Sequence, residues 1–123
     1  MPQSSHKTMK KNNMIKSTKK KELMKLLTKT IKEKMVKNHN DQDGTKDFKA
    51  VLKLFDPTGN STWYLSELDP NTNVAFGLCD MGYPELGYVS LDELSTLKVK
   101  MGLGIERDLY FTPKTFDDLQ KVA

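Results

Sequence analysis

Thirty residues near the C-terminal end, positions 84–113 (PELGYVSLDELSTLKVKMGLGIERDLYFTP), do most to limit what this chain can fold into. They read as a strand, a capped helix, a glycine turn and a second strand. Ser90 followed by Glu93 forms a capping box, in which the serine hydroxyl accepts from the third helical amide and the glutamate reaches back to the serine amide. The spacing predicts a helix from Leu91 to about Leu97, with Leu94 and Leu97 on the stripe that faces a sheet. Gly102 and Gly104 supply the turn before a strand expected over residues 105–111. No nucleophile, metal cluster or phosphate-binding loop stands inside this stretch, so it limits the fold without naming a chemistry.

Strand signals dominate the residues upstream of it. Residues 48–55 are apolar with Lys49 and Lys53 alternating out, and Pro57, Gly59 and Asn60 turn the chain into residues 61–68. Asp69, Pro70 and Asn71 turn it again into residues 73–79, where Val74, Phe76 and Leu78 share one face. A break at residues 81–84 leads into a fourth strand over residues 86–89, so the order is a meander and the pairing antiparallel.

Helical periods flank the strands. Leu23, Leu27, Ile31 and Met35 recur every four residues over 19–37, with Lys21, Lys25, Lys29 and Lys32 largely on the other side. Ser17 or Thr18 caps this helix, unless the three lysines of that first turn oppose the dipole and move the start to Thr28. Residues 38–45 (NHNDQDGT) read as a loop. Thr115 with Asp118 repeats a weaker cap before a short terminal helix through Phe116, Leu119 and Val122.

The expectation is an α+β domain over residues 24–123. Its antiparallel sheet of about five strands is packed by an N-terminal amphipathic helix and by short helices after strand four and at the C-terminus. Residues 1–23 form a basic extension, disordered or partly helical. A length of 123 residues suits one such core. Cys79 is the only cysteine, which excludes an intrachain disulfide and a multi-thiolate zinc site. No apolar run follows the basic start and none would span a bilayer, so the expectation is a soluble cytoplasmic protein with no membrane partner.

The net charge of +4 hides an asymmetry. Residues 1–40 hold twelve lysines against Glu22 and Glu33, whereas the remainder holds seven lysines and Arg107 against fourteen acids. A lysine arm suits DNA or RNA phosphates, and an acidic body repels them and suits a basic protein surface. Nineteen lysines against one arginine also look like a compositional bias toward lysine codons.

Candidate functional residues divide along the same line. Glu67, Asp69, Glu85, Glu106, Arg107 and Asp108 form the partner-binding set of the acidic body. Among these, Glu67, Asp69, Glu85 and Glu106 lie at strand ends that a meander can gather, and they are the best candidates for a divalent-metal cluster. Arg107 is expected to make a bidentate salt bridge to Glu85 or Glu67, or else to meet a phosphate or an acidic group of a partner. Lys10, Lys11, Lys19, Lys20, Lys21 and Lys25, with Tyr64 as a stacking platform, form the alternative nucleic-acid-binding set. Tyr64 alternates out of phase with Trp63, so the two face opposite sides. His6 and His39 read as solvated, and Cys79 as a small buried hydrophobe rather than a nucleophile.

The segments KLLTKTI, LKLFDPTGNSTWYLSELD, FGLCDMGYPELGYVSLDELSTLK and GLGIERDLYFTP, in this order and spacing, carry a resemblance over roughly four fifths of the chain. They resemble a family of small domains of unassigned function encoded mainly on bacterial plasmids, conjugative elements and phages. The resemblance implies a cytoplasmic mobile-element setting, with a domain beginning near Met24, and it brings no catalytic residues and no cofactor. The expected function is therefore a non-catalytic accessory protein that binds a nucleic-acid-handling protein, a host defence nuclease among the candidates. Direct binding of DNA or RNA through the lysine arm is one alternative, and a metal-dependent nuclease or phosphoesterase is another. The edge strands of such a sheet are compatible with a dimer without predicting one.

Overall fold

The computed structural model describes residues 26–97 and 102–122. Leu26 is helical, and the helix is broken at residues 27–28. Among the described residues the first complete helix, α1 (Lys29–Asp41), begins at the later of the two expected starts: Thr28 is its N-cap, and the threonine hydroxyl accepts from the Ile31 amide at 3.2 Å. The earlier start at Ser17 or Thr18 lies outside the described residues. At its other end α1 runs through residues 38–41, which composition assigns to a loop. Tertiary contact explains the difference. Asn38 is buried and its side-chain amide donates to the Ser66 carbonyl at 2.9 Å, so a residue with poor helix propensity is held in the helix by a bond made 28 positions away.

Four strands follow the expected meander, β1 (Leu52–Phe55), β2 (Thr62–Asp69), β3 (Val74–Asp80) and β4 (Pro84–Ser90), and the two-residue β5 (Glu106–Arg107) crosses back to pair with β1. They form one antiparallel sheet in the order β4-β3-β2-β1-β5. Between β4 and β5 lies α2 (Leu91–Thr96), whose Ser90 N-cap accepts from the Glu93 amide at 3.2 Å, as the capping signal predicts. The chain closes with α3 (Phe116–Val122), where Thr115 accepts from the Asp118 amide at 3.1 Å.

Strand β4 begins at Pro84, inside the expected break, and two other strands are shorter than their sequence signals. Residues 48–51 do not extend β1; Ala50 instead forms an isolated bridge with Lys114, which ties the segment before α3 to the sheet. The last strand stops at Arg107 because Asp108 turns the chain, its carboxylate accepting from the Tyr110 amide at 2.9 Å while its own amide donates to the Lys53 carbonyl at 3.0 Å.

Both faces of the sheet carry a core. On one face Leu52, Leu54, Trp63, Leu65, Leu68 and Ala75 pack with Met35 of α1 and with Leu91 and Leu94 of α2. On the other, Ala50 and Leu78 pack with Phe116 and Leu119 of α3, with Tyr64, Phe76 and Phe111 alongside. Trp63 and Tyr64 therefore do face opposite sides, each against a core. Among the described residues no helix is long and apolar enough to cross a membrane.

Strand β2 changes phase at Ser66. Leu65 pairs with Gly77, but the next pair is Glu67 with Phe76, so Ser66 is an extra residue in a bulge. The bulge keeps Leu65 and Leu68 on the helix-covered face and sends Glu67 to the face of Phe76. Gly77 makes this geometry fit, since a Cβ there would meet the Tyr64 carbonyl and lie 2.7 Å from the Leu65 Cα.

Candidate functional site

Strand β4 is an outer edge of the sheet, and its backbone pairs with β3 alone among the described strands. Glu85, Gly87 and Val89 stand opposite Cys79, Gly77 and Ala75, while Leu86 and Tyr88 occupy the alternate positions on the face that α3 covers only in part. Tyr88 is 76% exposed and Leu86 53%, and in the turn before them Met81 is 69% and Tyr83 74% exposed. Edge strands are usually protected by lysine or by a cover. Here β4 carries no lysine, and its one charged residue is Glu85.

Charge around this edge is of one sign. From residue 54 to residue 97 there is no lysine, arginine or histidine, against seven acids: Asp56, Glu67, Asp69, Asp80, Glu85, Asp92 and Glu93. Strands β2, β3 and β4 and helix α2 thus form an acidic half with an apolar, aromatic rim.

Next to Tyr88 the surface sinks into a depression of about 410 Å³, lined by His39, Gln42, Glu67, Asp69, Val74 and Tyr88 among others. Glu67 is buried in it and accepts from Gln42 Nε2 at 3.0 Å; Gln42 is the residue that caps the C-terminal end of α1. Phe76 forms the apolar wall, its ring 5.1 Å from that of Tyr88 and 6.2 Å from that of Phe116. His39 is half-buried at the rim rather than fully solvated. The depression offers two carboxylates, an imidazole and an aromatic face, an arrangement suited to a basic side chain.

Of the six residues assigned to the acidic body, only Glu67 and Asp69 are brought together there. The expected salt bridge from Arg107 to Glu85 or Glu67 is not formed. Arg107 pairs with Leu54, Leu54 with Trp63, Trp63 with Cys79 and Cys79 with Glu85, so Arg107 and Glu85 end one cross-strand row, about 19 Å apart at ordinary strand spacing. Glu67 projects from the other face. Glu106 pairs with Phe55 at the β5 edge, and Asp108 contacts Lys53 at 3.5 Å. Of the four proposed metal ligands, the sheet keeps Glu85 and Glu106 apart from the pair Glu67 and Asp69, and among the described residues no group of three or more metal-ligating side chains converges.

The candidate lysines 10, 11, 19, 20, 21 and 25 lie outside the described residues. Tyr64 is half-buried, with the Phe111 ring 5.8 Å away and the Lys53 ammonium 5.7 Å from its centroid. Cys79 is half-buried on the helix-covered face, and burial pushes its thiol pKa up, away from the reactive thiolate. Tyr83 and Leu86 were not among the expected site residues. Tyr83 stands in the turn before β4, and Leu86 alternates with Tyr88 along the strand, a pattern that reads as core until the strand is known to be an edge.

These features define a small α+β domain whose five-stranded antiparallel sheet carries helices on both faces and an uncovered acidic edge. The chain belongs to the DUF2958 family, a protein family of unknown function, whose model matches residues 26–117. No curated protein and no solved structure matches the chain.

Proposed function

We propose that the protein is a non-catalytic binding protein of a mobile genetic element, docking its β4 edge on the basic surface of a nucleic-acid-handling protein. The observation that carries this reading is the exposure of Tyr83 in the turn and of Leu86 and Tyr88 on the edge strand, set in a 44-residue stretch that holds seven acids and no basic residue. Aromatic and aliphatic anchors supply the desolvated centre of such an interface, and the surrounding carboxylates steer it toward a cationic partner. A lysine or arginine of the partner enters the depression between Glu67 and Asp69 against Tyr88. Surfaces that are basic in this way belong to proteins that grip phosphate backbones, and a host nuclease held on the acidic edge would be blocked as by a nucleic-acid mimic.

The resemblance of the TWYLSELD, ELGYVSLDEL and GLGIERDLYFTP segments to domains encoded on plasmids, conjugative elements and phages supports the mobile-element setting. The test is affinity capture from the host with the full chain, a Leu86→Lys/Tyr88→Lys variant and a chain lacking residues 1–23. The reading requires one nucleic-acid-handling protein retained by the full and shortened chains, lost with the double variant and displaced by added DNA. Equal retention by the double variant would overturn it.

A further inference from the structure

The depression beside Tyr88 holds a buried charge without a counter-charge. Glu67 is only 8% exposed, and its Oε2 accepts from Gln42 Nε2 at 3.0 Å. The same nitrogen donates to the Lys46 carbonyl at 2.9 Å, so both of its hydrogens are spent and the carboxylate is held by one neutral bond. Among the described residues Oε1 accepts no hydrogen bond, and the ion pairs, Lys37 with Asp41 and Lys53 with Asp108, leave Glu67 out. The side-chain atoms that are both unpaired and sealed from solvent are, among the described residues, those of Arg107 alone, so Oε1 opens into the depression that Glu67 lines. A carboxylate buried this deeply is costly without a cation, and the open oxygen marks where one would sit.

Asp69 stands two residues further along β2 and lines the same depression. Its Oδ1 accepts from the Asn71 amide at 2.9 Å, and among the described residues Oδ2 has no donor. Residues two apart on a strand project to one side, about 7 Å from each other along it. A planar guanidinium carries donors on more than one edge and can face two carboxylates at once, whereas an ammonium concentrates its donors at one point. Tyr88 and Phe76 supply an aromatic wall, on which the weakly hydrated guanidinium also stacks better than an ammonium. Neither a lysine nor an arginine lines the depression to compete for the carboxylates.

We propose that this depression selects an arginine side chain of the partner over a lysine. With β4 as the docking edge, on which this assignment rests, the arginine is the partner's anchor: its guanidinium lies against Tyr88 and donates to Oε1 of Glu67 and Oδ2 of Asp69. Gln42 is a positioning residue, because it fixes the glutamate through Oε2 and leaves Oε1 for the ligand.

The full chain is titrated with Nα-acetyl-arginine amide and, separately, with Nα-acetyl-lysine amide at constant ionic strength. NMR follows the Tyr88 ring protons and the Glu67 side-chain carboxyl carbon. Both signals are expected to shift saturably, at a concentration about tenfold lower for the arginine probe. No saturable shift, or equal saturation by the two probes, overturns the proposal. Glu67→Gln keeps the shape and the acceptor for Gln42 while removing the charge, and it should weaken the arginine probe about tenfold or more. Unchanged affinity in that variant also overturns the proposal; if it fails to fold, Asp69→Asn, at a half-buried position, is read by the same criterion. These outcomes are separable from affinity capture. A partner retained through Leu86 and Tyr88 while neither probe saturates removes the arginine site and keeps the docking edge, and saturation by the arginine probe with no partner captured does the reverse.

Discussion

Gly77 lies directly opposite Leu65 at the last regular pair before the β2 bulge, with space for a hydrogen and none for a carbon. A methyl group there would meet the Tyr64 carbonyl and the Leu65 Cα, both of them backbone atoms that no side-chain rotation can move away. Gly77→Ala is therefore expected to destabilise the fold by about 2 to 3 kcal/mol, read as a lower urea midpoint. The strain falls on the bulge that turns Glu67 into its depression. A partner bound at that depression should be lost in this variant even where the protein remains folded.

Asn38 closes the gap that the end of β1 leaves beside β2. Strand β1 pairs no further along β2 than Leu65, and the freed Ser66 carbonyl takes the Asn38 amide at 2.9 Å in a fully buried setting. Asn38→Ala removes the donor and leaves that carbonyl without it, at a cost of about 1 to 3 kcal/mol, partly offset by the higher helix propensity of alanine. Hydrogen exchange should report faster opening of the last turn of α1, whereas the β3–β4 hairpin keeps its protection. Equal loss in both would mean that Asn38 supports the whole core and not this junction.

Features carried by neighbouring residues were legible in the sequence. The caps at Ser90 and Thr115, the turns after Phe55 and Asp69 and the shared face of Val74, Phe76 and Leu78 all stand as their spacing predicts. What escaped depends on partners far along the chain. The extension of α1 rests on Ser66, the phase change at the bulge needs Gly77 opposite it, and β5 is cut short by the contacts of Asp108. The candidate site was half legible for the same reason. Glu67 and Asp69 could be chosen by residue type, but the separation of Arg107 from Glu85 follows only from β5 joining the β1 edge.

Two exposed carboxylates near the end of α1 set an acid response. Asp41 accepts from the Lys37 ammonium at 2.8 Å, a hydrogen bond that, with the charge of Lys37, holds its pKa below the ordinary aspartate value. Asp43 is lowered too, by the Thr45 hydroxyl first and then the Thr45 amide. A carboxylate with a lowered folded pKa contributes stability above its unfolded value, and that contribution is lost as pH falls through the folded one. NMR titration of the side-chain carboxyl carbons should therefore give both midpoints below those of the unfolded chain. Lys37→Met should return Asp41 toward the ordinary value and leave Asp43 in place.

The β4 edge separates binding from stability. Leu86 and Tyr83 are more than half exposed and neither belongs to a core cluster, so replacing them with lysine removes little packing. Substitutions at such positions usually change stability by no more than about 0.5 kcal/mol. A lysine at 86 would also place a positive charge at the edge where none stands between residues 54 and 97, and would turn a basic partner away by repulsion as well as by loss of apolar contact. Tyr88 is different, because its ring rests 5.1 Å from Phe76, and its removal should cost some stability along with binding. The expected order is thus an unfolding midpoint near that of the natural chain for Tyr83→Lys and Leu86→Lys and a lower one for Tyr88→Ala, with weaker partner capture in all three. Were Leu86→Lys to bind as well as the natural chain at low salt, the β4 edge would not be the docking surface.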